Sequence, residues 1–285
     1  MFVIIGLFVV IASVLGGFLL EHGQFAVLIQ PTEFLILGGA GIGSMVMANP
    51  PAVLKGAITQ MLGLLKPNPF GAKAYAELLQ VLYEIFQKAR KDGLVGLEAH
   101  IEDPHKSDIF NKYPSFASNH HAVSLLCDTL KVLLTGTVED HNLAEILDID
   151  LEKHHHAMMH VPHAVTAVSD AMPGFGIVAA VLGVIITMGH IGGEASEIGK
   201  SVAAALVGTF LGILLAYGVL GPIAKAMENR IVAENDYMLC VRTALLAFAR
   251  GDAPMTAVEF ARRNVDPHER PSFSDLEGLT RNKAA

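Results

Sequence analysis

Four stretches of this chain are apolar and hold no lysine or arginine, and 19 of the 20 Lys and Arg residues fall instead in two segments, Pro50–Val165 and Ile223–Ala285. The remaining one, Lys200, stands in the link between the third and fourth stretches. A soluble core does not require such a partition. A bilayer does, because Lys and Arg near the ends of a span stay on its cytoplasmic side. The reading is an all-α integral membrane protein with four transmembrane helices and a large helical cytoplasmic domain.

The first span is Phe2–Leu20. A helix of about 20 apolar residues crosses a hydrocarbon core of about 30 Å, so this run just reaches. It lacks a basic n-region and a small-residue cleavage site, and is expected to be a retained span rather than a signal peptide. The second span covers about 32–48 and opens beside Glu33. The third and fourth cover about 171–191 and 201–222, their apolar stretches running on to Gly193 and Ala224. The links Glu21–Pro31 and Ile191–Lys200 are too short for domains and face outside. Both termini and the long middle segment then face the cytoplasm. The expected division is 1–49 and 166–224 for the two span pairs, 50–165 for the cytoplasmic domain, and 225–285 for a helical extension and tail.

A net charge of −8 and a pI near 5.9 argue against nucleic acid as a partner. A hydrophobic share of 52% and mean hydropathy of +0.46 fit spans joined to a water-facing part. Cys127 and Cys240 both lie in cytoplasmic segments and are expected as reduced thiols.

Small residues recur at every fourth position of span four (Ala204, Gly208, Gly212, Ala216), with Gly39 and Gly43 in span two and Ala179 and Gly183 in span three. Such ladders let helix backbones approach closely in lipid, within one subunit or between subunits. The run Gly38–Gly43 lacks the Lys-Ser/Thr ending of a phosphate loop.

In the cytoplasmic segments, Tyr75, Leu78, Leu79, Leu82, Ile85 and Phe86 follow helical spacing and predict a helix over 72–91 that Gly93 ends. A second helix is expected from near Ala122 to Gly136. A third starts after Asp140 as N-cap and passes Pro162 toward span three. Span four is expected to continue as a helix through Met227, Ile231, Met238, Val241, Leu245 and Phe248. The tail beyond Pro267 reads as polar and mobile.

Three constellations bear on chemistry. Lys88, Arg90, Lys91 and Asp92, followed by Glu98, Glu102 and Asp103, form a dense charge cluster at a helix end. It is either a solvated face or a docking surface. His154, His155, His156, His160 and His163 include metal-compatible spacings, but consecutive histidines point around a helix and no cysteine accompanies them. No metal site and no cofactor are expected, and a membrane metalloenzyme is the weaker alternative. Inside the spans the ionisable candidates are Glu33 and Asp170, both at span ends, with the hydroxyls of Thr187, Thr209 and Tyr217. A chain of this composition that moves protons must obtain its mid-membrane acid from a partner. Pro173 and Pro222 mark the cytoplasmic ends of spans three and four, as ordinary helix features or as hinges.

The segments from Met172-Pro173 to Gly183 and from Ala205 to Tyr217-Gly218 resemble spans three and four of the MotA family of flagellar stator subunits. So do Ile101–Pro104, Ser107–Pro114, Ala257–Phe260 and Glu269–Phe273, in order along nearly the whole chain. The resemblance implies a non-enzymatic stator subunit of the bacterial inner membrane. It implies a homopentamer around two copies of MotB, whose single span carries the proton-accepting aspartate, and torque delivered to FliG of the rotor. It assigns Arg90 and Glu98 to the FliG interface, and Pro173 and Pro222 to conformational coupling. Asp170, Ala180, Thr209 and Tyr217 are placed along the ion path. Sodium-driven relatives place a threonine where this chain has Ala180, so the expected ion is the proton. The ExbB and TolQ scaffolds, with fewer spans and no rotor, are the nearer alternative.

Overall fold

The computed structural model of the chain describes residues 2–136, 138–189, 192 and 194–281. Among these residues the regular structure is helical. In chain order the helices are α1 (Phe2–Leu20), α2 (Phe25–Leu28), α3 (Pro31–Ala48), α4 (Pro51–Gly63), α5 (Ala72–Asp92), α6 (Glu98–Glu102), α7 (Pro114–Ala117) and α8 (His120–Leu134). They continue as α9 (Asp140–Met188), α10 (Ala195–Ile213), α11 (Gly221–Ala249), α12 (Pro254–Asn264) and α13 (Phe273–Arg281). A π-helical stretch, Leu214–Leu220, joins α10 to α11. Four helical segments are long and apolar enough to cross a membrane: Phe2–Leu20, Phe25–Ala48, Asp140–Met188 and Ala195–Ala249.

The chain forms two compact units. One holds residues 1–67 and 158–229, the other 68–157 and 230–285. These bounds differ from the expected 49/50, 165/166 and 224/225. The cause is α4, a helix outside the sequence expectations. Ala57 of α4 and Leu64 just past its end pack with Val161, Val165, Ala224 and Met227, which draws both helix stems into the apolar unit. Pro50 and Pro51 do close α3, and Pro51 then serves as the first residue of α4, where a missing N–H costs nothing.

The second unit has one continuous core. All six apolar positions read from the sequence of α5 are buried in it, and Phe86 stacks on Phe248 with ring centroids 4.4 Å apart. Gly93, at φ +78°, ends α5 in a conformation that L side chains rarely adopt. Asn119 caps α8 by accepting from the Ala122 amide at 3.1 Å. Asp140 proves to be the first helical residue of α9 rather than its cap.

Through Arg281 the tail corrects the expectation of mobility; residues 282–285 lie outside the described residues. Ser272 and Asp275 form a reciprocal capping box at the start of α13, with bonds of 3.0 and 3.1 Å, and Leu276 is fully buried. Arg262 of α12, itself buried, binds Glu259 through two nitrogens and the Pro271 carbonyl through a third. Span three ends at Met188; residues 190, 191 and 193 of its expected end lie outside the described residues.

Candidate functional site

In the apolar unit, α9 and α10 meet along a seam of backbone. A Cβ built on Gly176 would lie 2.8 Å from the Gly208 carbonyl oxygen and 3.1 Å from Thr209 Cα. On Gly212 it would lie 2.7 Å from the Met172 carbonyl oxygen, and on Gly183 it would lie 2.6 Å from Ala205 Cβ. Only glycine allows these approaches. The ladder of span four therefore works through Gly208, Gly212 and the fully buried Ala216, with Ala205 taking the place expected for Ala204. A Cβ on Gly39 or Gly43 of span two would meet nothing within 4 Å; the close approach there is at Gly41, against Met172.

Thr209 donates its hydroxyl to the Gly176 carbonyl at 3.3 Å, so it ties the two helices together. Ala180 is half-buried one turn beyond Gly176 on the same side of α9. Asp170 and Tyr217 are exposed on this unit. Thr187 is buried and bonds the Gly183 carbonyl of its own helix at 2.8 Å.

The two prolines stand differently in the helical structure. Pro173 sits within α9, and Pro222 is the second residue of α11, directly after the π-helical stretch. Pro222 has no N–H for the Gly218 carbonyl, and the preceding turn widens so that the Gly221 amide reaches Ala216, five residues back. Pro173 likewise leaves the Ser169 carbonyl without its helical donor. The two irregular turns are joined directly: Ser169 donates its hydroxyl to the Ala216 carbonyl at 2.8 Å, and both groups are buried.

Glu33 stands in the first turn of α3, at a span end as expected, but it faces inward. Its side chain is buried against Gly208, close to Ala179, and its Oε2 has no hydrogen-bond partner among the described residues. Glu33, Leu37 and Gly41 form the buried stripe of α3 at four-residue steps. That periodicity was available in the sequence and would have placed the carboxylate inward.

Arg90 lies in the last turn of α5 and Glu98 opens α6. Both are exposed, and neither makes an ion pair among the described residues, whereas neighbouring Lys88 is held by Asp92 at 3.1 Å. The 3₁₀ turn Leu94–Leu97 sets them on successive helices, anchored by fully buried Leu97.

In the histidine run, His155 is half-buried and meets exposed His156 edge to face with ring centroids 6.4 Å apart, while His154 meets His121 of α8 and Glu234 of α11. The two imidazole rings lie 4.1 Å apart between centroids, and His154 Nε2 is 3.8 Å from a Glu234 carboxylate oxygen. Partial desolvation of its ring, then the neighbouring His154, hold His121 below the usual histidine range, against the pull of Glu234. These residues are distant in sequence, and no local motif links them.

Four apolar helical segments, with a glycine seam where two of them meet, define a multi-pass membrane protein built around close helix contact. Residues 4–93 match the motility protein A N-terminal family, and residues 118–239 match the MotA/TolQ/ExbB proton channel family. The chain belongs to the motility protein A family, the stator subunits of the flagellar motor, and is a multi-pass protein of the bacterial inner membrane. It is 36% identical over 277 residues to motility protein A of Escherichia coli (strain K12), covering 97% of this chain and 94% of that one. It is 34% identical over 273 residues to chemotaxis protein LafT of Vibrio parahaemolyticus, covering 96% of each. The fold matches MotAB of C. jejuni with a TM-score of 0.76 at 19% identity, over 95% of this chain and 98% of that one. It also matches the flagellar MotAB stator complex of Bacillus subtilis, with a TM-score of 0.71 at 23% identity, over 96% and 98%.

Proposed function

We propose that the chain converts ion flow into torque as the ring-forming subunit of a flagellar stator. Five copies surround two copies of a MotB-type partner, whose intramembrane aspartate carries the ion. The observation that supports this most strongly is the 36% identity to a motility protein A across nearly the whole chain. The shape of α1 agrees with it. None of its 19 residues is buried within the chain, so its apolar surface is left for lipid or neighbouring subunits.

Both termini and the unit holding α5 and α8 face the cytoplasm in this reading. Arg90 and Glu98 form the charged contact with FliG. Exposed, unpaired charges of opposite sign set register and encounter rate rather than tight affinity, which suits a contact made and broken at every step. Pro173 and Pro222 couple ion binding to movement, and the Ser169–Ala216 bond links their turns. Asp170, Ala180, Thr209 and Tyr217 belong to the ion path, Thr209 also fixing the α9–α10 seam.

Proton drive follows from Ala180, since a methyl offers sodium no oxygen in exchange for its hydration shell, whereas a proton needs only water and a titratable group. Stall torque is measured at fixed proton-motive force with and without external sodium. Unchanged torque supports proton drive; torque that rises with sodium refutes it.

A further inference from the structure

We infer that His121, His154 and Glu234 form a binding site for a divalent transition metal of the zinc class. The site lies in the unit of residues 68–157 and 230–285 and draws one ligand from each of α8, α9 and α11. One ligand atom from each residue lies within 4.8 Å of the others. Donors arranged tetrahedrally at about 2.0–2.2 Å from zinc stand about 3.4 Å apart, so closure requires shifts of about an ångström at side-chain tips. The broad terminal torsions of His and Glu supply shifts of that size. His154 Nε2 is buried and makes no hydrogen bond among the described residues, although it faces Glu234 at 3.8 Å. A ring nitrogen buried without a partner is costly, and a metal ion would satisfy it and the carboxylate together.

The donor set selects the ion. Two imidazoles and one carboxylate suit zinc and its neighbours in the transition series, whereas magnesium and calcium require oxygen ligands. Three protein ligands leave a fourth position open, as in zinc sites that also bind water or an exogenous group. That position has space beside it. A cavity of about 280 Å³ is lined by His120, His121, Arg230, Glu234 and Tyr237 among others. His121 and Glu234 border this cavity, so water or a small exogenous group has room at the fourth position. Bound metal would brace α8 against α9 and α11, the two helices whose chains continue into apolar spans.

The test uses the full chain purified with its partner, stripped by chelator and titrated with zinc sulfate in a calorimeter. The expected result is one zinc per chain with micromolar or tighter affinity, and a raised unfolding temperature. Glu234→Gln keeps the shape of the side chain, and His121→Asn alters an exposed one. Each is expected to weaken binding at least tenfold and to remove the thermal shift. His156→Ala, exposed on the same helix as His154, is expected to change neither. Binding well below one zinc per chain, binding indifferent to Glu234→Gln and His121→Asn, or binding lost in His156→Ala would each overturn the inference.

Discussion

A single methyl group added at Gly176 tests the seam between α9 and α10. The added Cβ would meet the Gly208 carbonyl oxygen at 2.8 Å and Thr209 Cα at 3.1 Å, both backbone atoms of the facing helix. Backbone cannot rotate aside as a side chain does, so reaching an ordinary contact of about 3.4 Å requires the helices to part by about 0.6 Å. Overpacking of this kind costs about 1–3 kcal/mol. The same movement stretches the Thr209–Gly176 hydrogen bond from 3.3 Å beyond bonding range. An interhelical bond between spans is worth about 0.6 kcal/mol. Replacing glycine by alanine within a helix returns about 0.8–1 kcal/mol. The net expectation for Gly176→Ala is destabilisation by about 1–3 kcal/mol. Gly174, two residues away on the same helix, has nothing within 4 Å of its would-be Cβ. Gly174→Ala should therefore be neutral or stabilising by up to about 1 kcal/mol. Equilibrium unfolding of each purified variant in bicelles measures the difference. Equal stabilities for the two variants would refute the close-approach argument, because helix propensity alone treats both positions alike.

Three further outcomes follow from the geometry. Arg90→Glu inverts an exposed charge with no ion pair among the described residues, so swimming torque should fall while ring assembly is unchanged; normal swimming would remove Arg90 from the rotor contact. Ser169→Ala deletes the buried bond between the two proline turns; stability should fall by about 0.5–1.5 kcal/mol, and motility by more than that loss explains, so wild-type motility would count against coupling through these turns. Burial pushes the thiols of Cys127 and Cys240 up to about 12, so both should resist alkylation at pH 8 until the chain unfolds; rapid labelling of the folded protein would contradict their burial.

The spans were legible because hydropathy and charge placement act on whole segments, and the core face of α5 because six apolar positions repeat with helical period. The pairing of those helices was not legible. Gly39 and Gly41 look alike in the sequence, yet only Gly41 meets another helix. The inward turn of Glu33 depended on which face of α3 is covered, although its four-residue spacing from Leu37 and Gly41 carried the signal. The π-helical stretch arises from the missing N–H of Pro222 together with the Ser169 hydroxyl, which comes from another helix. The tail reads as polar because Leu276, its buried apolar residue among the described ones, directly follows the capping residue Asp275. The meeting of His121, His154 and Glu234 is wholly a product of tertiary packing, since each belongs to a different helix.

The central claim is that these spans form a wall that lacks a working proton carrier and takes one from a partner. Proton flux into proteoliposomes under an imposed gradient tests it most directly, with the chain reconstituted alone and then together with a single-span partner bearing an intramembrane aspartate. The account predicts no flux above empty vesicles for the chain alone, and flux with the partner that disappears when its aspartate becomes asparagine. Partner-free flux, above all flux abolished by Glu33→Gln, would show that the chain carries its own acid and would contradict the account.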